Sequence, residues 1–181
     1  MRRYSLKGNK IYFDEEFFID LNKQTIAEYE LQKRNEISEE EYYEIIRRRV
    51  LSMGYFLLSK KDYPIKEFTT KLITKYREKE IVEEIIDEFI EKGYLDDVEY
   101  GRCYIKTHNY GRKKMEFMLF QKGLSSDIIR DLLNDNSENE LEEIKRLWLR
   151  LGEKEKDKKI VSLMRKGFQY RDIKKAISEL E

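Results

Sequence analysis

The sequence contains few of the residues that interrupt helices or build metal sites and disulfides. Proline occurs once and glycine 8 times in 181 residues, which favours long helices over a many-stranded sandwich. Cys103 and His108 are the only residues of their kinds, which is too few for a structural zinc site. A lone thiol cannot form a disulfide within its own chain, which is typical of a reducing cytosol. The composition therefore predicts a mainly helical protein without structural zinc.

Sequence motifs of common enzymes are also missing. The chain has no glycine-rich phosphate loop, no dinucleotide-binding turn and no nucleophile elbow, so we expect no catalytic residues, no cofactor and no metal. The first residues lack the apolar run of a secretion signal. The longest uncharged stretch, residues 50–59, is far shorter than the roughly 18 residues that cross a bilayer. We expect a cytoplasmic, non-enzymatic protein.

Charged and aromatic residues are abundant instead. Charged residues make up 41% of the chain, and 37 Lys and Arg balance 37 Asp and Glu. The 13 Tyr and 9 Phe provide apolar surface that disordered chains lack. A net charge of zero argues against a protein that binds nucleic acid by unspecific attraction to phosphate.

The first 36 residues are expected to form a small β-structure with one helix. Gly8 and Asn9 separate two alternating apolar segments, which is a signal for a two-residue hairpin turn. A second turn at residues 14–16 followed by a strand at 17–19 would complete a three-stranded meander. A helix over about 22–33 is the nearest partner for one face of this sheet.

The rest of the chain contains a repeated pattern. Leu119 lies 47 residues after Leu72, Leu163 lies 44 residues after Leu119, and the neighbouring apolar positions follow the same register. Ser38 and Glu41 form a capping-box pattern that begins the first helix. We predict three modules of three helices, over 37–95, 96–136 and 137–181. The helices are predicted at 38–60, 64–76, 79–92, 97–109, 112–122, 126–134, 138–152, 156–166 and 170–180.

Modules this small bury little surface alone, so tandem copies are expected to stack into an elongated array whose surface suits binding. Asp96 is expected to cap the helix that begins at residue 97. Cys103 is expected in the core, His108 at a helix end and Trp148 in the core, packed against the second module.

Basic side chains cluster in the second and third modules despite the neutral sum. A positive charge at a helix start, as in Arg112, Lys113 and Lys114, opposes the helix dipole and indicates an external partner, although an ordinary solvated turn would look the same. The candidate contact residues for a protein partner or DNA are Arg102, Lys106, Arg112, Lys113, Lys114, Lys122, Lys154, Lys158, Lys159, Arg165 and Lys166.

The centre of the chain resembles the signature of the RecX regulatory proteins. The matching residues are GYLDDVEYGRCYIK over 93–106, the basic turn at 112–114 and LFQKGL over 119–124. Gly101 stands where that family has a small alanine. The third module is less regular than the second. The resemblance extends over nearly the whole chain and implies the same three-module helical architecture.

The resemblance also implies a function in DNA repair and the SOS response. RecX proteins are non-enzymatic modulators of the RecA recombinase, so this chain would bind the RecA filament on single-stranded DNA. Binding would inhibit the recombinase, ATPase and co-protease activities of RecA. We expect a monomer with at most a weak direct contact to DNA. Two alternatives stay open: a helical protein that binds DNA directly, and a general helical-repeat scaffold for another partner.

Overall fold

A computed structural model describes residues 1–14 and 16–180, and it is mainly helical with a small N-terminal β-structure. The predicted fold class is therefore confirmed. Glu15, in the second predicted turn, and Glu181, at the end of the third predicted module, lie outside the described residues.

The predicted meander forms at the N-terminus. Strands β2 (Ser5–Lys7), β3 (Lys10–Tyr12) and β4 (Phe18–Asp20) pair in this order, each antiparallel to the next. Lys7 pairs with Lys10, so the Gly8-Asn9 turn connects β2 and β3 directly. Gly8 has a φ of 62°, a left-handed conformation that glycine adopts without steric cost. The strand β4 begins one residue later than predicted.

Two features of this region differ from the sequence-based prediction. Helix α1 covers only Lys23–Glu28, because Glu30 takes a φ of 50°, a left-handed conformation that does not continue a right-handed helix. Strand β1 (Arg2–Arg3) pairs antiparallel with β5 (Glu36–Ile37), where the sequence indicated only a break before the next helix.

Within the described residues after α1, nine further helices follow, and each begins within one residue and ends within two residues of its prediction. They are α2 (Glu39–Leu58), α3 (Ile65–Tyr76), α4 (Lys79–Glu91), α5 (Asp97–Thr107), α6 (Arg112–Lys122), α7 (Ser126–Asp135), α8 (Ser137–Arg150), α9 (Lys156–Arg165) and α10 (Tyr170–Ser178).

The helix ends show why the sequence located them well. Ser38 and Glu41 form the predicted capping box at the start of α2, each side chain accepting a hydrogen bond from the other's backbone N–H. The Asp96 side chain accepts from the N–H groups of Val98 and Glu99, as predicted for an N-cap. Gly123 ends α6 with a φ of 93°, which an L-residue with a side chain rarely adopts.

The chain divides into two compact units. The first contains Met1–Tyr63 and Phe68–Leu95, and the second contains Pro64–Glu67 and Asp96–Glu181. In the first unit α2 packs closely on α4, and a Cβ added to Gly54 would lie 2.5 Å from the Phe89 ring. Glycine at position 54 therefore lets these two helices approach each other.

The second unit has two apolar clusters, one for each predicted triplet of helices. One surrounds Leu119 and Leu132 from α6 and α7, and the other surrounds Ile144, Leu163 and Ile173 from α8, α9 and α10. In each triplet the third helix packs against the first two. The division of the whole chain into three modules stays a prediction.

Candidate binding surface

Helix α5 presents two candidate cations to solvent. Arg102 and Lys106 are exposed, and Arg102 lies 3.5 Å from Glu99. His108 caps the C-terminal end of α5, as predicted. Its Nδ1 lies 2.8 Å from the Tyr104 carbonyl oxygen, and its ring stacks on Tyr104 with centroids 4.0 Å apart. The imidazole thus fixes the end of the helix beside the basic turn.

The guanidinium of Arg112 points into the second unit and not toward solvent. It donates hydrogen bonds to the Leu133 carbonyl oxygen at 3.0 Å and to the Asn134 side chain at 2.7 Å. These acceptors lie near the C-terminal end of α7, where the helix dipole favours a cation. The charge that seemed unfavourable at the start of α6 is therefore stabilised by a neighbouring helix.

The two lysines that follow differ in their surroundings. The Lys114 Nζ lies over the Tyr110 ring, 3.9 Å from its centroid, and its side chain is half-buried. Lys113 is exposed. Of the three consecutive cations, Lys113 is thus the one best placed to meet a partner.

The start of α6 lies against the end of α9. The Gly111 N–H donates to the Lys166 carbonyl oxygen at 2.9 Å, and the Lys113 N–H donates to the Gly167 carbonyl oxygen at 3.2 Å. A Cβ on Gly111 would collide with the backbone of Gly167 and Phe168. This close approach brings Lys113 together with Arg165 and Lys166, which are 52 or more residues away along the chain. We call Lys113, Arg165 and Lys166 the basic rim.

The basic rim carries charge that the protein does not neutralise internally. All three side chains are exposed. Among residues 1–14 and 16–180, no Asp or Glu forms an ion pair with any of them. Exposed cations at one place attract an anionic surface more strongly than the zero net charge of the chain suggests.

The remaining candidate lysines fall into two groups. Lys122 lies 3.3 Å from Glu67, and Lys159 lies over the Trp148 ring, 4.7 Å from its centroid, so both make contacts within the second unit. Lys158 forms an exposed ion pair with Glu155 at 2.9 Å, and Lys154 is exposed.

A carboxylate of a following helix caps the start of both α3 and α6. Asp97 accepts from the Ile65 N–H at 2.8 Å, and Glu140 accepts from the Arg112 N–H at 2.7 Å. Burial raises the pKa of both carboxyl groups, and this hydrogen bond opposes the rise in each case.

These contacts define two junctions, which are places where distant segments of the second unit meet. The first junction joins Ile65, Lys66 and Glu67 to Asp97, Lys122 and Gly123, and the second joins Gly111, Arg112 and Lys113 to Glu140, Lys166 and Gly167.

The structure corrects two further expectations. Cys103 is exposed, with its sulfur 3.5 Å from a Glu99 carboxylate oxygen, so the expectation of a core position was wrong. It lies two residues after the buried Gly101 on α5. Trp148 is half-buried and packs on the apolar cluster of α8, α9 and α10, not on the cluster of the second predicted module.

The sequence analysis also missed an exposed apolar surface. Phe117 and Phe120 on α6 are 58% and 64% exposed, and Val161 and Met164 on α9 are 47% and 48% exposed. We call these four side chains the outer face. Their signal was in the sequence, since α6 contains apolar residues at 115, 117, 118, 119 and 120, more than one buried stripe can hold.

Within residues 1–14 and 16–180, no helix combines the length and the apolar character that a membrane crossing requires. Over the same residues, no three His, Cys, Asp or Glu side chains converge in a way that could hold a metal ion.

No family model matches the chain, whereas individual proteins do. It is 29% identical over 177 residues to a regulatory protein RecX of Clostridium perfringens, which covers 88% of this chain and 84% of that protein. It is 27% identical over 188 residues to the RecX of Clostridioides difficile, covering 94% and 88%. A match to the RecX of Listeria welshimeri is 29% identical over 73% of this chain, but spans only 52% of that protein.

Solved structures share the fold. A crystal structure of RecX from Lactobacillus salivarius superposes with a TM-score of 0.66 at 24% identity, covering 75% of this chain and 96% of that chain. A second crystal structure of a regulatory protein RecX has a TM-score of 0.62 at 20% identity and covers 97% of this chain and 100% of that chain. Helices with a small N-terminal sheet are therefore an architecture found in solved proteins.

Proposed function

Because the chain belongs to the RecX family of regulatory proteins, we propose that it binds the RecA filament on single-stranded DNA and inhibits the recombinase, ATPase and co-protease activities of RecA. It acts by binding and not by catalysis, in the cytoplasm and as a monomer.

The observation that carries this proposal is the basic rim. Lys113, Arg165 and Lys166 come from two distant segments, and backbone hydrogen bonds from Gly111 to Lys166 and from Lys113 to Gly167 join these segments. A localised cationic surface on a chain of zero net charge favours one anionic partner without general adhesion to nucleic acid.

The contacts of the candidate cations support a division of these residues by function. We propose that the basic rim, with the exposed Arg102, Lys106 and Lys154, meets the filament. Arg112, Lys122 and Lys159 hold the second unit together, because each contacts another part of it. Lys114 and Lys158 lie at the edge of the surface, where rim charges affect the association rate more than the affinity.

A charge-reversal experiment tests the proposal. We expect the triple variant K113E/R165E/K166E to bind preformed RecA filaments at least about tenfold more weakly, because like charges facing each other across an interface cost several kcal/mol. Co-sedimentation with filaments and inhibition of RecA ATP hydrolysis on single-stranded DNA measure the effect. The matched control K23E/K71E/K75E makes the same charge change at exposed lysines of the first unit.

The control also defines what contradicts the proposal. If both triple variants bind filaments as the unaltered protein does, the assignment of the basic rim fails. If the unaltered protein binds bare single-stranded DNA equally well and leaves RecA activity unchanged, direct DNA binding replaces filament regulation as the function. Far-ultraviolet circular dichroism should show the same helicity for both variants.

A further inference from the structure

The outer face is unusual because it repeats at equivalent positions of two helices. Val161 lies 44 residues after Phe117, and Met164 lies 44 residues after Phe120, the same offset that relates the buried Leu119 and Leu163. Each of the two helices therefore has an apolar side in its core and a second apolar side in solvent.

A surface helix of a soluble protein normally has one apolar stripe, and its opposite side is polar. In α6 the inner side buries Met115 and Leu119, while Phe117 and Phe120 remain more than half exposed. Phenylalanine carries no polar atom that water could satisfy, and exposed apolar surface beside polar residues is typical of interaction sites.

The basic rim lies on the same side as the outer face. Lys113, Phe117 and Phe120 are spaced by four and three residues on α6, and Val161 and Arg165 are spaced by four on α9. Side chains at these spacings are neighbours on one side of a helix. Apolar anchors with cations beside them are the composition that protein interfaces favour, since aromatic residues and Arg are enriched there.

Two observations favour a protein over a nucleic acid as the occupant. Protein surfaces that bind single-stranded nucleic acid without sequence preference use aromatic rings on which the bases stack. The positions on α9 that correspond to the two phenylalanines instead hold Val161 and Met164, which are not aromatic. The exposed carboxylate of Glu116 also lies beside Phe117 and Phe120 on α6, where it would repel a phosphate backbone.

We infer that the outer face is a protein-docking surface, with Phe117, Phe120, Val161 and Met164 as apolar anchors. Its partner presents apolar pockets bordered by carboxylates, which face the basic rim. The inference rests on the proposed function, in which that partner is a RecA subunit of the filament. It adds apolar contacts to an interaction for which the sequence indicated only charges.

The experiment measures three variants, each in two binding assays. The double variants F117S/F120S and V161S/M164S remove the anchors of α6 and of α9 separately, and L149S serves as the control because Leu149 is a 67% exposed apolar residue of α8 outside the outer face. Each is measured by co-sedimentation with RecA filaments and by fluorescence anisotropy with a bare single-stranded oligonucleotide. Circular dichroism and urea unfolding verify that each variant folds.

We expect F117S/F120S to weaken filament binding at least about tenfold and V161S/M164S to weaken it less, because aromatic anchors dominate interface energetics. L149S should bind as the unaltered protein does, and no variant should change its affinity for the bare oligonucleotide.

Three results would overturn the inference. Normal filament binding by both double variants refutes the docking surface and leaves the proposed function intact. An equal loss of binding to the bare oligonucleotide makes the outer face a base-stacking surface. If the unaltered protein does not bind filaments, the proposed function fails, and the inference falls with it.

Discussion

The two junctions of the second unit use corresponding positions but different atoms. Position 64 is proline and position 111, which lies 47 residues later, is glycine. At the first junction, side chains make the contact: Lys66 lies over Gly123, and Lys122 approaches Glu67 at 3.3 Å. At the second junction the backbones of Gly111 and Gly167 touch directly.

This difference decides how each junction responds to substitution. Side chains adjust by changing rotamers at a cost of about 1 kcal/mol, whereas a closely packed backbone cannot move without breaking its hydrogen bonds. The carboxylate cap, by contrast, is common to both junctions. We therefore expect substitution of the glycines to destabilise the two junctions to different extents. Substitution of the capping carboxylates should destabilise both junctions to a similar extent.

The largest effect is expected at Gly111. Alanine at this position needs no unfavourable backbone angle, since φ is −72°, but its Cβ would collide with the backbone of Gly167 and Phe168. The G111A variant should lose about 4 kcal/mol of stability, through overpacking and the loss of two backbone hydrogen bonds. Urea unfolding followed by the fluorescence of Trp148 reports on the second unit.

The matched control is G152A. Gly152 has a φ of 61° and no heavy atom within 4 Å of an added Cβ, so it should lose only the roughly 1–2 kcal/mol of a left-handed residue. A G111A protein as stable as G152A would mean that the backbone contact between α6 and α9 does not form in solution.

A smaller effect is expected at the two capping carboxylates. The variants D97A and E140A each remove the acceptor of one backbone N–H, and each should cost about 1–2 kcal/mol. Similar losses in the urea midpoint would support the equivalence of the junctions. The control E138A alters an exposed carboxylate in the first turn of α8 and should change stability by less than about 0.5 kcal/mol. A cost for E140A no larger than that of E138A would contradict the capping role.

The smallest effect concerns pH and contrasts the two units. In the first unit, the hydrogen bonds from Arg34 and from the Ser38 N–H lower the pKa of Glu41. The stabilisation from Glu41 is therefore present above its ordinary value of about 4.3 and is lost as the pH falls through the lowered pKa. In the second unit, burial raises the pKa of Glu140, so the folded state loses stability as the pH rises from about 4.3, the ordinary value for Glu, through the raised pKa.

Urea unfolding of E41Q and E140Q across pH 3 to pH 7 tests the opposite signs. Relative to E140Q, the unaltered protein should gain stability as the pH falls from 7 through the raised pKa of Glu140 to about pH 4.3, the ordinary value for Glu. Relative to E41Q, it should lose stability below about pH 4.3. Parallel curves for the unaltered protein and E140Q would show that burial does not raise the pKa of Glu140.

The sequence predicted the helices well because their signals are local. A capping box at Ser38 and Glu41, an N-cap at Asp96 and a left-handed glycine at Gly123 each act within one turn of a helix. The pairing of β1 with β5 was not predictable in the same way, because each strand has two residues and they meet across more than 30 positions of sequence. The early end of α1 depends on Glu30, which carries no helix-breaking signal of its own.

The sequence predicted which residues are candidates for the binding surface, but not which of them lie together or which face solvent. The sequence identified Lys113, Arg165 and Lys166 as candidate cations, but their proximity follows from a contact between distant backbones. It could not reveal that Arg112 turns inward, since this depends on where the C-terminal end of α7 lies. Cys103 was assigned to the wrong side of α5 because Tyr104 and Ile105, which follow it directly, are apolar and extend the apparent apolar stripe to Cys103.

Backbone atoms form the contact between Gly111 and Gly167, whereas side chains form the basic rim beside it. The assembly of the second unit therefore depends on different atoms from those proposed to bind the partner. Main-chain hydrogen bonds are indifferent to the side chains that flank them, so residues 113, 165 and 166 can be exchanged without altering the join itself. Substitutions at these three positions could therefore change the affinity for the partner, or the choice of partner, without changing the fold. Relatives that keep glycine at both positions would be free to diverge most in the cations beside them.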